Sequence, residues 1–165
     1  NKRAYCDSIL KEFASLPRYR TRTPDVAAIL LPFGDVGLRA ILDGVYDDEA
    51  EVRLLSITCA SALLPDFQKW IVEIADVLDH WDTRIAAYVP RMLWRSKAAF
   101  AIPKLEACLQ HDHQQFAASC AKSIAIIEPS RRDESLAFVE GLELGEVFKA
   151  NLLAELRGEK PYAGL

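Results

Sequence analysis

As a string of apolar and polar positions, the chain repeats itself. Stepping by 31 from Leu54 meets Ile85, Phe116 and Val147, all apolar. The columns Cys59, Pro90, Ala121, Leu152 and Leu63, Trp94, Ala125, Leu156 hold in the same way. So do Ile74, Leu105, Leu136 and Val77, Cys108, Val139. Two columns fail only at their last member. Leu78 and Leu109 lead to Glu140, and Ala62, Leu93 and Ile124 lead to Glu155. The last unit is thus the more polar one, as the end of a repeat array should be. A fixed step of this size marks repeated supersecondary units.

Within each unit the spacing is helical. Val52, Leu55, Cys59 and Leu63 fall on one stripe, which Leu54, Ile57 and Ser61 widen, so this helix should be buried on more than one side. No period-2 run bounded by hairpin turns is present. Thr23-Pro24-Asp25 reads as a helix start, and Asp48-Glu49, Asp82 and Asp112 place acids where second helices begin. Pro65-Asp66 and Pro129-Ser130 separate neighbouring helices. The pattern predicts five helix pairs: 3–15 with 24–33, 35–45 with 49–64, 67–78 with 82–95, 98–110 with 113–127, and 131–141 with 144–157. Pro90 falls inside the second helix of the third pair. It lacks an N–H, so that helix should kink there.

Paired helices at this step carry D-x-x-x-V-R (Asp48 to Val52-Arg53) and then D-x-R (Asp82, Arg84). Over residues 24–157 the chain resembles HEAT and HEAT-like, armadillo-type helical repeats. Short bilin-lyase-type repeats are close relatives. The fourth unit departs, with Gln115 where an arginine is expected, and the fifth has Glu146. The resemblance implies an all-α fold: an α-solenoid of about five stacked antiparallel helix pairs, one domain over 1–165, most regular over 35–157. Such Asp and Arg residues often form an internal ladder, so Arg53 and Arg84 are expected to be structural. The family implies a scaffold for protein partners. A minority of its members attach bilins, and one group removes alkylated bases from DNA. Fold alone does not choose among these.

Bulk composition narrows the choice. The chain has 165 residues, 51% apolar and 27% charged, enough for one sizeable core. No apolar run reaches about 18 residues, so no membrane span and a cytoplasmic setting are expected. The chain starts at Asn1 rather than Met, which points to trimming or processing. Cys6, Cys59, Cys108 and Cys120 form no C-x-x-C pair and read as buried free thiols. Net charge is −4, but residues 1–22 carry +4 and the rest −8. An acidic body with a basic N-terminal end argues against a nucleic-acid binder. The basic loop RYRTR (18–22) reads as solvated.

Chemistry is sought along the edge where the turns within pairs should stack. Asp43, Asp47, Asp48, Glu49 and Glu51 place five carboxylates in nine residues, and Glu73, Asp76, Asp79 and Asp82 follow. Adjacent helices pack roughly 8–10 Å apart, so these acids are expected to form one negative patch. Capping and solubility account for some of them. The excess suits a basic protein partner. His80, His111 and His113 lie on the same edge, but neighbouring columns are a helix diameter apart and zinc ligands must lie at about 2.0–2.2 Å. Solvated turn histidines, not a metal site, are expected. A second candidate surface is the second-helix face, usually concave in HEAT-like proteins, with Tyr88, Arg91, Arg95 and Lys122. Trp94 shares that spacing, but its column is apolar and reads as core. No G-x-S-x-G, Walker loop, H-E-x-x-H or G-x-G-x-x-G is present. No catalytic residue and no cofactor are expected. The sequence suits a non-enzymatic interaction module, of inhibitor or immunity type, that caps a basic partner. A bilin-lyase-like protein and a HEAT-like DNA glycosylase are the alternatives.

Overall fold

The structure is a computed structural model that describes residues 1–17 and 23–162. Every regular element among these residues is helical, and no strand occurs among them. No helix among them is long and apolar enough to cross a membrane. The backbone divides into two compact units, Asn1–Trp70 and Ile71–Leu165. The basic loop 18–22 lies outside the described residues.

In the first unit, Asn1 caps α1 (Lys2–Ser15) by accepting the Arg3 N–H at 3.0 Å. Helix α2 (Thr23–Leu30) runs into a 3-10 turn, Leu31–Phe33. Helices α3 (Asp35–Gly44) and α4 (Ala50–Ala62) follow, then a 3-10 stretch, Leu64–Trp70. α1 packs on α3 and α4, α2 on α4, and α3 on α4. Each of these four helices therefore meets both its partner in the pair and the like element of the other pair of this unit. Helix α4 is buried almost all round, with Val52 to Ile57, Cys59 and Ala60 inside, as its widened stripe predicts.

Close approach in this unit rests on two glycines seven apart, hence on one face of α3. A methyl at Gly37 would fall within contact of the Leu30 carbonyl, and one at Gly44 would meet the buried Ser56 hydroxyl. That hydroxyl has no hydrogen-bond partner among the described residues.

In the second unit, α5 (Ile71–Asp76) is prolonged by a 3-10 turn, Val77–Asp79. Helices α6 (Thr83–Ala86) and α7 (Val89–Arg95) come next. A 3-10 turn, Ala99–Ala101, leads into α8 (Ile102–Cys108), which is followed by α9 (Gln114–Ile127). Then come a 3-10 turn, Pro129–Arg131, α10 (Arg132–Glu140) and α11 (Glu146–Leu156). α9 touches α7, α8, α10 and α11. The predicted kink at Pro90 is a full break. Ala87 and Tyr88 separate α6 from α7, and the proline sits in the first turn of α7, where its missing N–H costs nothing.

The columns hold unevenly. Cys59, Pro90, Ala121 and Leu152 are all buried, as are Val77, Cys108 and Val139. Val147, counted as apolar core by the step from Leu54, is 77% exposed. The reason is register. Second helices start at Ala50, Thr83, Gln114 and Glu146, so the spacing is not a uniform 31. The same slip separates the two arginines of the motif. Arg53 lies buried and donates to the Asp47 and Asp48 carbonyls, both at 2.8 Å, whereas Arg84 is exposed and pairs with Asp82.

Gly37→Ala should destabilise the protein by about 2–3 kcal/mol through overpacking against backbone. Ser56→Ala should stabilise it by about 1 kcal/mol, because a buried unpaired hydroxyl is removed. Urea midpoints at unchanged slope measure both.

Candidate functional site

The acids of residues 43–51 sit in the first unit, and most of them face a cation of that unit. Arg3 of α1 reaches Asp43 and Asp7, each at 2.8 Å. Burial lowers the Arg3 pKa, but its hydrogen bonds to Asp43 and Asp7 outweigh this and raise it. Arg39 adds a second contact to Asp43, and Lys11 lies 4.0 Å from both Asp47 and Glu49. Asp47 also accepts the Glu49 N–H at 2.9 Å, closing the turn before α4. The basic α1 and the acidic turn, which look like separate features in the sequence, partly neutralise one another. Asp48 and Glu51 are exposed, and no described cation pairs with either carboxylate.

The other acids belong to the second unit. Asp82 is no surface acid. Its side chain is 10% exposed, accepts the Arg84 N–H as the cap of α6, and binds the Arg84 guanidinium. Glu73 is half-buried. Asp76 and Asp79 are exposed and share one ammonium, Lys104, at 2.8 and 3.3 Å. The Asp76 hydrogen bond chiefly raises the Lys104 pKa, burial opposes it, and Asp79 adds to the rise. Two carboxylates against one cation leave this corner negative.

The histidines divide. His80 is buried, against the expectation of a solvated turn residue. Its Nδ1 accepts the Asp82 N–H at 2.9 Å, and its ring stacks on Trp81 with centroids 4.0 Å apart and 23° between planes. His111 repeats the first contact, accepting the His113 N–H at 3.0 Å, and His113 caps α9 by accepting the Phe116 N–H. Both remain exposed. No cluster of three or more His, Cys, Asp or Glu that could hold a metal occurs among the described residues.

Trp81 escaped the sequence reading. Its indole is 67% exposed, the most exposed aromatic ring among the described residues. The available signal was its place: a tryptophan in a turn between Asp79 and Asp82, on neither helical stripe.

On the second-helix face, Trp94 is core, 5% exposed, and so is no stacking platform for a base. Tyr88 is half-buried, and Arg91 and Arg95 are exposed. Lys122 is not a surface cation. It lies 15% exposed on α9, 2.5 Å from Glu155 of α11, which is 9% exposed, and it faces the Tyr162 ring. Glu155 is the residue that broke the apolar column; buried, it is the partner of Lys122. Beside the end of α7, Trp94, Arg95, Lys97, Ile126, Ile127 and Pro129 line a pocket of about 430 Å³.

The four cysteines are free and buried. Burial pushes the Cys59 thiol up to about 12, so it is inert at neutral pH. Cys120 hydrogen-bonds Cys108, which raises Cys120 and lowers Cys108.

No family model, curated protein or solved structure matches the chain.

Lys122→Met should cost about 3 kcal/mol, because it removes the cation that faces a buried carboxylate. Lys122→Met with Glu155→Leu should recover most of that loss. Chemical denaturation of the two variants and the parent checks both expectations.

Proposed function

We propose that the chain is a non-enzymatic α-solenoid of HEAT-like repeats that binds a basic protein segment at the turn Val77–Asp82. The observation that carries this reading is Trp81, an exposed indole held flat against a buried histidine. A large apolar ring in water is unfavourable unless something covers it. Trp81 is also preorganised. His80 is fixed by the Asp82 N–H, so little side-chain freedom remains to be lost on binding. Asp79 precedes this pair, and Asp76 stands one helical turn before Asp79, with Lys104 the one cation against both among the described residues. An aromatic face beside an excess of carboxylates suits lysine or arginine, which gain a cation–π contact and a charge pair together.

The solenoid part of the reading rests on packing inside each unit, where like helices of successive pairs lie against one another. The small size and the lack of any catalytic motif suit an inhibitor or immunity-type protein that caps a basic partner. Of the two acidic stretches, the second is favoured. In the first, α1 already occupies Asp43, Asp47 and Glu49.

A fluorescent lysine-arginine peptide tests the reading. Its anisotropy should report binding that weakens as salt rises from about 0.05 to 0.5 M, since screening shortens to a few ångströms. Trp81→Ala and Asp79→Lys should each weaken binding about tenfold, roughly 1.4 kcal/mol. Asp48→Lys and Glu51→Lys should change it less. Equal affinity for the parent and both variants at the turn would sink the proposal.

A further inference from the structure

The end of α7 carries a second, chemically opposite feature. Ala98 N–H reaches the Leu93 carbonyl and Lys97 N–H the Trp94 carbonyl, each at 3.0 Å. These two bonds make a Schellman cap, whose penultimate residue must be left-handed and is usually glycine. Here it is Lys97, at φ 52°, the only non-glycine residue with positive φ among the described residues. The last helix supplies an internal comparison. After α11, Glu159 N–H reaches the Ala154 carbonyl and Gly158 N–H the Glu155 carbonyl, the same cap, and its left-handed residue is Gly158 at φ 77°. The cap itself therefore does not call for lysine. A side chain held there against its backbone preference points to a use for that side chain.

Lys97 lines the pocket with Arg95, and the remaining walls are Trp94, Ile126, Ile127 and Pro129. Arg95 and Lys97 are both exposed, and neither pairs with a described carboxylate. Glu128 is the nearest acid in sequence, but it does not line the pocket. Arg95 alone has a plain account, since a cation in the last turn of a helix favours the dipole. Lys97 lies past the helix and has no such account. The volume of about 430 Å³ and the mainly apolar wall with a few polar groups at one side are those of a small-molecule site.

We propose that this pocket binds an amphipathic monoanion, an aliphatic carboxylate whose chain lies against Trp94, Ile126, Ile127 and Pro129 while its head meets Arg95 and Lys97. The apolar wall excludes a small inorganic anion as the best ligand, because such an ion gains nothing from four hydrophobic side chains. Two cations without carboxylate partners disfavour a cationic amphiphile. The site stands apart from the acidic turn, and its test does not depend on the reading given above.

Decanoate, decanol, decyltrimethylammonium and acetate are the probes, each below its micellar concentration, followed by calorimetry and by Trp94 emission. One decanoate should bind per chain. Decanol should bind at least about tenfold more weakly, and acetate and the ammonium not at all. Lys97→Gly should melt about 2–4 °C higher, because the left-handed position is relieved, yet bind decanoate about tenfold more weakly. Arg95→Gln should weaken binding to a similar degree without that rise in melting temperature. Decanol binding as tightly as decanoate, several decanoates per chain, or full affinity in both variants would each overturn the proposal.

Discussion

Helix α9 has neighbours on nearly every side, and the chemistry of the second unit follows from that enclosure. A helix touched by α7, α8, α10 and α11 keeps only a narrow wet face, at Gln115 and the half-buried Ser119, Lys122 and Ile126. Its interior positions must then be small enough for other backbones to come close. Ala117, Ala118, Cys120, Ala121, Ser123 and Ala125 meet this need, with Phe116 and Ile124 filling the wider gaps. Ala118, Ala121 and Ala125 join Val139, Leu152 and Leu156 in one core cluster. Enclosure also explains the buried ion pair. Lys122 occurs on the same helix with its side chain only 15% exposed, and a carboxylate comes to it. Glu155 does so from α11, at a position the repeat would otherwise fill with an apolar side chain. A buried charge left without a partner would cost far more than the pair does.

The electrostatics of the first unit work on a different principle. There, Arg53 apart, the charges stay wet, and the gain from each pair is small. What matters is cancellation. Arg3 and Lys11 are far in sequence from the acids of 43–51, yet α1 lies against α3 and brings both cations to that acidic turn. Charge counted along a chain overstates the charge seen by a partner whenever a helix of opposite sign folds back on it. This is why five acids in nine residues carry less weight than Asp76 and Asp79, which share one lysine.

Much of the architecture was legible because helices announce themselves locally. The 31-residue step, the proline and acidic starts and the apolar stripes located the helices to within a few residues. The break at Pro90 follows from one missing N–H. Register was less legible. A uniform step cannot see two extra residues between the starts of α4 and α6, which misalign Arg53 with Arg84, or one more between the starts of α9 and α11, where the apolar column ends in the exposed Val147. Side-chain fate was the least legible. Nothing in the spacing says that His80 turns inward while His111 stays out, because that depends on the indole of Trp81 covering one and not the other. Lys122 and Glu155 looked like a surface cation and a polar cap because a pair across two helices has no sequence signature.

Removing every residue with a structural task leaves few candidates for recognition. The turns need side chains that accept an N–H two residues on, and Asp47, His80 and His111 each supply one. Helix starts need caps, and Asp82 and His113 supply them. So the acidic and histidine-rich edge is mostly the chemistry of ending one helix and beginning another, written with different letters in each unit. Asp47, His80, Asp82, His111 and His113 are each turned toward a nearby backbone N–H rather than toward a shared point. Trp81 and Lys97 do not fit that account. Neither caps a helix end by its side chain and neither fills a core. Stacking on His80 uses one face of the Trp81 indole and leaves the residue 67% exposed, and the cap after α7 gives no reason for a left-handed lysine. Two such departures, one beside Asp76 and Asp79 and one beside an apolar pocket with two cations that pair with no described carboxylate, are where the two proposed surfaces lie in the second unit.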